Sequence, residues 1–157
     1  MPLLQNVRCL AVPKPYTNSV ATKTMSNQES HRQFDEWNEV KKKTDRESYP
    51  LYYEREVYHC RTGKNIGFEQ SGKGERFLRP VLIIKKFNRF VFWGVPLSKT
   101  NRRGKYYYPF LLVRDITSVA ILSQLKLYDA KRLGTKIGVL NKEEMKNIKR
   151  IIRQYLE

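Results

Sequence analysis

A glycine-rich loop that leads into two apolar segments constrains this chain more than any other feature. Residues 62–78 contain four glycines, and two apolar runs of strand length follow at Val81–Ile84 and Phe90–Val95. A continuous apolar run of this length is typical of a strand buried on both faces. We therefore predict an antiparallel pair in the core. Arg79 is separated from the first run only by Pro80, so we expect a fixed cation at the start of a rigid strand, beside an exposed, mobile loop. This arrangement suggests chemistry on a polyanion.

Shorter patterns of the same kind surround this pair. Further strands are predicted at Glu56–Arg61, Tyr106–Leu112, Ser118–Leu122 and Lys136–Leu140. Pro96 cannot donate a ladder hydrogen bond, so it is predicted to end its strand and to leave Leu97 and Ser98 in a loop. Asn141 and Glu144 have the spacing of a helix cap, which predicts a C-terminal helix. Together these segments predict a mainly β protein with helices, built on a small, strongly curved antiparallel sheet or SH3-like barrel.

The first third of the chain has a different composition. Residues 1–30 contain three prolines among polar residues and predict an unstructured arm. One hypothesis is that the native chain starts at Met25, which would make residues 1–24 non-native. Phe34, Trp37 and Val40 have helical spacing within His31–Lys43, so residues 31–53 are predicted to form a helical extension. The main domain is then expected to span residues 54–157.

The positive charge is concentrated in this main domain. The formal net charge of the chain is +16, with 8 basic against 6 acidic residues up to residue 53 and 23 against 9 beyond it. Such a field attracts nucleic acid, an anionic membrane or an acidic protein, or it serves only for solubility. Three tyrosines directly follow three cations in residues 102–108. Because aromatic rings stack on unpaired bases, this pattern favours single-stranded nucleic acid, although a run of tyrosines is also typical of a strand.

Other sequence features exclude several classes of protein. Cys9 and Cys60 are far apart and match neither a metal-binding spacing nor a disulfide framework. The apolar runs are of strand length, shorter than a membrane-spanning helix requires, and the first residues lack the order of a signal peptide. We therefore expect a soluble cytoplasmic protein without a membrane partner, a metal or another cofactor.

Three residues near the glycine-rich loop are candidates for catalysis. Metal-free cleavage of RNA needs a group that takes the 2′ proton and groups that stabilise charge on the phosphorus oxygens. Arg79 suits the second role because guanidinium is planar and stays charged, and Ser98 can donate one hydrogen bond to the same oxygens. Glu69 could accept the proton, or it could simply form a surface ion pair. A two-histidine site is disfavoured, because His31 lies outside the main domain and His59 is expected to be packed.

Further basic residues are predicted to contact phosphates rather than to catalyse. They lie in three clusters: Lys64, Lys73 and Arg76; Lys85 and Lys86; and Lys99, Arg102, Arg103 and Lys105. A second group is predicted to have structural or substrate-binding roles: Gln70, Gln124, Asp129 and Arg132. Asp129 and Arg132 are expected to form an ion pair that holds a structural turn before the last strand, with substrate binding as the alternative.

Five motifs in this region also occur, in this order and spacing, in a known family. They are Gly67-Phe-Glu-Gln70, Arg79-Pro-Val-Leu-Ile-Ile84, Pro96-Leu-Ser98, Ser123-Gln-Leu-Lys-Leu-Tyr-Asp-Ala-Lys-Arg-Leu133 and Ile137-Gly-Val-Leu140. From about Glu54 to Glu157 the chain thus resembles the PemK/MazF toxin endoribonucleases of type II toxin–antitoxin systems. In this resemblance Arg79 takes the position of the catalytic arginine, Ser98 that of a threonine or serine, and Glu69 that of the acidic residue of the first motif.

The resemblance implies an activity, a fold and partners. It implies metal-independent, sequence-selective cleavage of single-stranded RNA, leaving 2′,3′-cyclic phosphate and 5′-hydroxyl ends. It also implies a homodimer with a small-barrel fold and an antitoxin whose acidic or amphipathic tail occupies the basic groove. Two alternatives remain open: a non-catalytic RNA-binding module in which Arg79 only holds phosphate, and a CcdB-like toxin that poisons a protein target such as gyrase.

Overall fold

The computed structural model describes residues 27–100, 102–112 and 117–157. The elements, in chain order, are α1 (Asn27–Asp45), β1 (Glu56–Arg61), β2 (Leu78–Lys86), β3 (Val91–Ser98), β4 (Tyr107–Leu111), β5 (Thr117–Ile121), β6 (Lys126–Asp129), β7 (Leu133–Val139) and α2 (Lys142–Gln154). Short 3₁₀ turns at Leu122–Gln124 and Ala130–Arg132 flank β6. Most of the predicted arm, and Met25 within it, lie outside the described residues. Neither helix in the described part of the chain is long and apolar enough to cross a membrane.

The strands form an antiparallel sheet in the order β4-β5-β3-β2-β1-β7, with β6 added beside β3. This arrangement confirms the predicted fold class of a mainly β protein with helices. Strand β3 has the central position because it pairs with three neighbours. Residues 92–96 of β3 pair with β2, residues 97–98 pair with β5, and residues 91–94 pair with β6. Residues at the end of β3 therefore lie where the two parts of the sheet meet.

The apolar run in β2 builds two cores, one on each face of the sheet. Val81 and Ile83 are fully buried in a cluster that contains Phe92 and Tyr128. Leu82 and Ile84 belong to the opposite cluster, and the apolar stripe of α2 packs there through Met145, Ile148 and Ile152. Because side chains alternate along a strand, a run without polar residues is what burial on both faces requires. Asn141 caps α2 as predicted, and its side-chain oxygen accepts a hydrogen bond from the Glu144 amide at 2.8 Å.

The prediction that Pro96 ends its strand is wrong, because β3 continues to Ser98. On one edge Pro96 lies opposite Val81 of β2. On the other edge β6 pairs with β3 as far as Gly94, and β5 begins to pair at Leu97. Pro96 thus falls in the gap between two partner strands, where a residue without an N–H removes no ladder hydrogen bond from that edge.

Helix α1 packs on both ends of the glycine-rich loop. The Trp37 ring lies 5.6 Å from the ring of Phe77, which precedes β2, and Trp37 is buried. Gly63 follows β1 with a φ of +89°, and a Cβ there would lie 2.4 Å from Trp37 Cε2. Both the left-handed backbone and the close approach of the indole therefore require glycine at this position. The helix is longer than the predicted His31–Lys43 segment by a few residues at each end.

Glu56, at the start of β1, forms a buried hydrogen-bond network. Its carboxylate accepts bonds from the Tyr53 amide at 2.8 Å, from the Tyr58 hydroxyl at 2.9 Å and from the ammonium of Lys136. Burial alone would raise the pKa of Glu56, but these three donors outweigh it and lower the pKa below its ordinary value. The ionised form is therefore the one that stabilises the fold.

We expect Glu56→Gln to lower the free energy of unfolding by about 1.5–3 kcal/mol at pH 7, the range for hydrogen bonds to a charged group. A depressed carboxyl pKa adds stability above the unfolded-state value of about 4.3, and this stability is lost as the pH falls through the lower folded-state pKa. The difference between wild type and variant should thus be largest near neutral pH and shrink at pH 3. Urea unfolding at both pH values measures it, with the exposed Glu75→Gln as a matched control. A difference that grows on acidification would contradict the assignment.

Candidate functional site

Arg79 lies at the second residue of β2 with its guanidinium held by two backbone carbonyls. Nε donates to the carbonyl oxygen of Ser71 at 2.8 Å, and Nη1 donates to that of Leu97 at 3.2 Å. Partial burial, followed by the proximity of Arg102, lowers the pKa of Arg79, but an arginine remains charged at any physiological pH. Two of its five N–H donors are thus used to fix its orientation, and three remain for an anion.

Ser98 ends β3 on the same side of the sheet as Arg79. Val81 lies opposite Pro96 in the β2–β3 pair, and continuing this register by two residues places Ser98 opposite Arg79. The Ser98 oxygen accepts a hydrogen bond from the Thr100 amide at 3.1 Å, which leaves the hydroxyl proton for another acceptor. Arg79 and Ser98 both line one surface pocket of about 310 Å³. The structure thus brings these two predicted residues together.

The wall of this pocket is mainly apolar. Its apolar residues are Leu78, Pro80, Leu97, Leu112 and Ile137, and its further polar residues are His59, Lys73, Lys99, Thr100 and Ser118. The prediction that His59 is packed is wrong, because its side chain is exposed on this wall. The pairing of β1 with β7 is irregular between Tyr58 and Cys60, so His59 sits where the ladder is interrupted. Strand alternation alone could not reveal this position.

The glycine-rich loop folds back on itself between β1 and β2. The carbonyl oxygen of Phe77 accepts bonds from the amides of Thr62 and Gly63, and the Gly72 amide donates to the carbonyl of Gly63 at 2.7 Å. A Cβ at Gly72 would lie 1.7 Å from the Phe77 carbonyl oxygen. Glycine at 72 therefore lets the two ends of the loop approach each other, and this approach positions Ser71, whose carbonyl holds Arg79.

Gln124 ties the outer part of this loop to the rest of the sheet. Its side-chain oxygen accepts from the Gln70 amide at 3.2 Å, and its side-chain nitrogen donates to the Phe68 carbonyl at 3.3 Å. Glu69 lies between these two attachment points. It is exposed, it accepts a bond from the Ile66 amide at 3.3 Å, and it is not among the residues that line the Arg79 pocket. The structure therefore does not bring Glu69 together with Arg79 and Ser98.

The predicted ion pair between Asp129 and Arg132 is wrong. The Asp129 carboxylate instead caps the second 3₁₀ turn by accepting from the Lys131 amide at 2.8 Å. Arg132 donates to the carbonyl oxygen of Arg61 at 3.0 Å, and its guanidinium lies 5.4 Å from the centre of the Trp37 ring. Two side chains three residues apart face different partners here because the turn between β6 and β7 separates them.

Most of the predicted phosphate-binding residues lie in or near the Arg79 pocket and the loops beside it, and two lie at the far end of β2. Lys73 and Lys99 line the Arg79 pocket, and the charge of Arg102 acts on Arg79. Lys64 lies 5.8 Å from the centre of the Phe34 ring, and three others are exposed: Arg76, Arg103 and Lys105.

Lys85 and Lys86 lie at the opposite end of β2 from Arg79, roughly 20 Å away at the rise of a strand. Lys85 pairs with Glu54 at 3.4 Å, and the Lys86 ammonium donates to the Tyr52 carbonyl at 2.9 Å. These two lysines are therefore part of the fold's own contacts and lie away from the pocket.

Strand β6 adds two residues that sequence reasoning did not single out, Lys126 and Tyr128. Lys126 lies opposite Gly94, which lies opposite Ile83 on its other side. Since Ile83 and Arg79 share a face of β2, Lys126 shares the face of Arg79. Partial desolvation, followed by the proximity of Arg132, lowers the pKa of Lys126, and Glu69 opposes this effect. Neither Lys126 nor Arg132 lines the Arg79 pocket, and Arg132 lines a second pocket with Asp45 and Asp129. We use the name cationic trough for the group Arg79, Ser98, Lys126 and Arg132. Strand β6 is only four residues long and lies between two turns, which is too short for a periodic pattern. In the sequence it was marked only by the family motif that contains Lys126.

Comparison with known proteins identifies the family and the fold. A family model described as "PemK-like, MazF-like toxin of type II toxin-antitoxin system" matches residues 54–156, while no curated protein sequence matches the chain. The fold is similar to that of the Mycobacterium tuberculosis toxin MazF-mt6, at 17% identity over 65% of this chain and 96% of that one, with a TM-score of 0.50.

Two further solved structures share this fold. They are an endoribonuclease in complex with its cognate antitoxin from a mycobacterial species (17% identity, 68% of this chain and 95% of that one, TM-score 0.51) and an endoribonuclease from a mycobacterial species (18%, 69% and 92%, TM-score 0.50). At such identities the structural likeness shows the fold alone. The matched segment contains the whole cationic trough and starts after α1.

Proposed function

The chain belongs to the PemK/MazF family of type II toxin–antitoxin toxins, and on this premise we propose that it is a metal-independent endoribonuclease that cuts single-stranded RNA at selected sequences. The observation that carries the proposal is the shared pocket of Arg79 and Ser98. Arg79, whose guanidinium has three N–H donors without a partner among the described residues, lines one cavity there with Ser98, Lys73 and Lys99. This arrangement suits a phosphodiester that gains charge during the reaction.

The proposed reaction is an internal phosphoryl transfer. The 2′ oxygen attacks the adjacent phosphorus, the bond from phosphorus to the 5′ oxygen breaks, and the products are a 2′,3′-cyclic phosphate and a 5′-hydroxyl. Arg79 neutralises the charge that develops on the non-bridging oxygens, and Ser98 donates a hydrogen bond to the same phosphate. The 2′ proton must leave, and the 5′ oxygen must gain a proton, through a group that approaches with substrate. Glu69 could accept the 2′ proton only if its loop moved it away from the Ile66 amide.

The proposed partners follow from the charge and the family. One related endoribonuclease has been solved in complex with its cognate antitoxin. For this chain we propose an antitoxin whose acidic segment covers the cationic trough, since the field that attracts RNA also attracts carboxylates. We also propose a homodimer and a cytoplasmic location, as expected for an enzyme that acts on cellular RNA.

The activity can be tested by incubating the purified protein with a long single-stranded RNA in the presence of EDTA. We expect cleavage at a small set of sites, with 5′-hydroxyl ends at each of them. Sequencing of these ends measures both activity and specificity. Cleavage that requires added metal would disprove metal independence. Tight RNA binding without any cleavage would favour a non-catalytic RNA-binding module, and growth inhibition without RNA binding or cleavage would favour a toxin directed at a protein target.

A further inference from the structure

Tyr128 presents an unused hydrogen-bond donor at the base of the cationic trough. Its side chain is 3% exposed, and its ring stacks on Phe92 with a centroid distance of 5.5 Å. Within residues 27–100, 102–112 and 117–157, the tyrosine hydroxyls that form hydrogen bonds are those of Tyr49, Tyr52, Tyr58, Tyr108 and Tyr155, and that of Tyr128 is not among them. Thr62 Oγ1 is the sole fully enclosed and unpartnered side-chain oxygen in this part of the chain. The Tyr128 hydroxyl, which also lacks a partner, must therefore be the part of the side chain that reaches solvent.

Two guanidinium groups and the buried Cys60 thiol lie near this hydroxyl. Burial and Cys60 raise the pKa of Tyr128, while the charges of Arg132 and Arg79 oppose the shift. The phenol therefore stays protonated and can donate, and both guanidinium groups are close enough to act on it. Lys126 lies two residues before Tyr128, on the same face of β6, with its ammonium 5.1 Å from the centre of the Tyr128 ring. The Tyr128 hydroxyl, together with the charges of Lys126, Arg79 and Arg132, can therefore bind an anion.

Lys126 and Arg132 have no carboxylate within ion-pair distance among the described residues, where seven such pairs hold other cations. The charge of Glu69 acts on Lys126 from farther away. Like charges that are close together and partly desolvated repel each other unless an anion is bound. Gly94, directly opposite Lys126, has no side chain. A Cβ there would lie 2.6 Å from Val81 Cγ1, so Val81 occupies the space that a side chain at residue 94 would take.

We propose that Tyr128 and Lys126 form a second phosphate subsite, which binds the RNA phosphate adjacent to the one held by Arg79 and Ser98. This inference rests on the proposed function for its ligand. The Tyr128 hydroxyl donates to a non-bridging oxygen, the Lys126 ammonium neutralises the charge, and Arg132 adds to the field from the far side. The subsite fixes the register of the RNA strand, so that the scissile phosphate meets Arg79.

An RNA backbone suits the two subsites better than an isolated carboxylate does. Lys126 shares the face of Arg79 across Gly94 and Ile83, and the charges of Arg79 and Arg132 both act on the Tyr128 hydroxyl, so the two anion positions lie on one face of the sheet. A strand with one phosphate per nucleotide can occupy both positions at once, with its bases free to turn toward the apolar wall of the Arg79 pocket. An acidic peptide that uses the same cations is the competing occupant, and the experiment separates the two.

The test measures binding of a fully 2′-O-methylated RNA oligomer by fluorescence anisotropy at several salt concentrations. This RNA lacks the attacking hydroxyl, so binding is measured whether or not the protein cuts RNA. Tyr128→Phe removes only the unpartnered hydroxyl and keeps the ring stack, and we expect it to weaken binding about five- to tenfold. Lys126→Gln is expected to weaken binding and to reduce the slope of log affinity against log salt by about 0.7, the value for one phosphate contact on a single strand.

Two matched controls remove the same groups elsewhere. Tyr53→Phe deletes an exposed tyrosine hydroxyl, and Lys146→Gln deletes an exposed lysine of α2; both should leave the affinity and the salt slope nearly unchanged. Unchanged binding by Tyr128→Phe and Lys126→Gln would overturn the subsite, even in an active nuclease. So would a loss of binding to polyglutamate with no loss of binding to RNA. An inactive protein whose RNA binding falls in both variants would instead disprove the proposed cleavage and keep the subsite.

Discussion

Arg79→Ala is expected to lower the rate of RNA cleavage by more than about 100-fold, the effect of removing one group that stabilises charge in the transition state. The guanidinium is fixed by the carbonyls of Ser71 and Leu97, so it needs little reorganisation when the phosphate gains charge. Single-turnover cleavage of a defined RNA, with enzyme in excess, measures the chemical step. Because alanine also removes two hydrogen bonds to the backbone, the thermal unfolding of the variant should be compared with that of wild type.

The cleavage rate of Arg79→Ala should be compared with the rates of two further variants. Ser98→Ala should slow cleavage measurably but less than Arg79→Ala, because serine supplies one hydrogen bond without charge. Arg103→Ala removes an exposed arginine that does not line the pocket and controls for the loss of general positive charge. If Arg79→Ala and Arg103→Ala cut RNA equally fast, Arg79 contributes only to the field, and the catalytic role assigned to it is wrong.

The second large effect is expected from a residue that touches no substrate. Gly72→Ala would place a Cβ 1.7 Å from the Phe77 carbonyl oxygen and 2.1 Å from its carbonyl carbon. Since both are backbone atoms, the loop must move as a unit. Ser71 moves with it, and the bond that fixes the Arg79 side chain is lost or displaced. A misplacement of about 1 Å can reduce a rate about 100-fold, and we expect a loss of that order in the same assay.

A glycine two residues away supplies the control for Gly72→Ala. Gly74 has a φ of +67° and nothing within 4 Å of its Cβ position. Asparagine tolerates the left-handed conformation better than other residues with a side chain, so Gly74→Asn should keep most of the activity. Because the core strands do not include either glycine, far-UV circular dichroism should be unchanged in both variants. Full activity of Gly72→Ala would show that Arg79 is positioned independently of this loop.

Sequence reasoning succeeded where a pattern is local and strong. The continuous apolar runs predicted β2 and β3, because burial on both faces leaves no place for polar residues, and Asn141 marked the start of α2. It failed at Pro96, since the rule that proline ends a strand assumes a partner on both edges. Strand β6 was missed because four residues between two turns are too few for a period to appear.

The candidate site, like the fold, could be predicted only where its residues lie next to a strong local pattern. Arg79 and Ser98 lie next to strong strand signals, so their proximity follows from an antiparallel pair. Tyr128 and Lys126 reach the same face only through the third pairing of β3, and no local pattern encodes that pairing. His59 was assigned to the core by simple alternation, and the irregular pairing with β7 that exposes it cannot be read from β1 alone.

The contact of Trp37 with Gly63 and Phe77 bears on how a minimal version of this protein should be cut. A boundary drawn at residue 54, where the family match begins, would delete the indole that covers Phe77 and fills the space above Gly63. In the shortened chain the Phe77 ring would be uncovered, next to the loop whose Ser71 carbonyl binds the Arg79 side chain. Trimming to the shared domain would therefore alter the candidate site as well as the length of the chain.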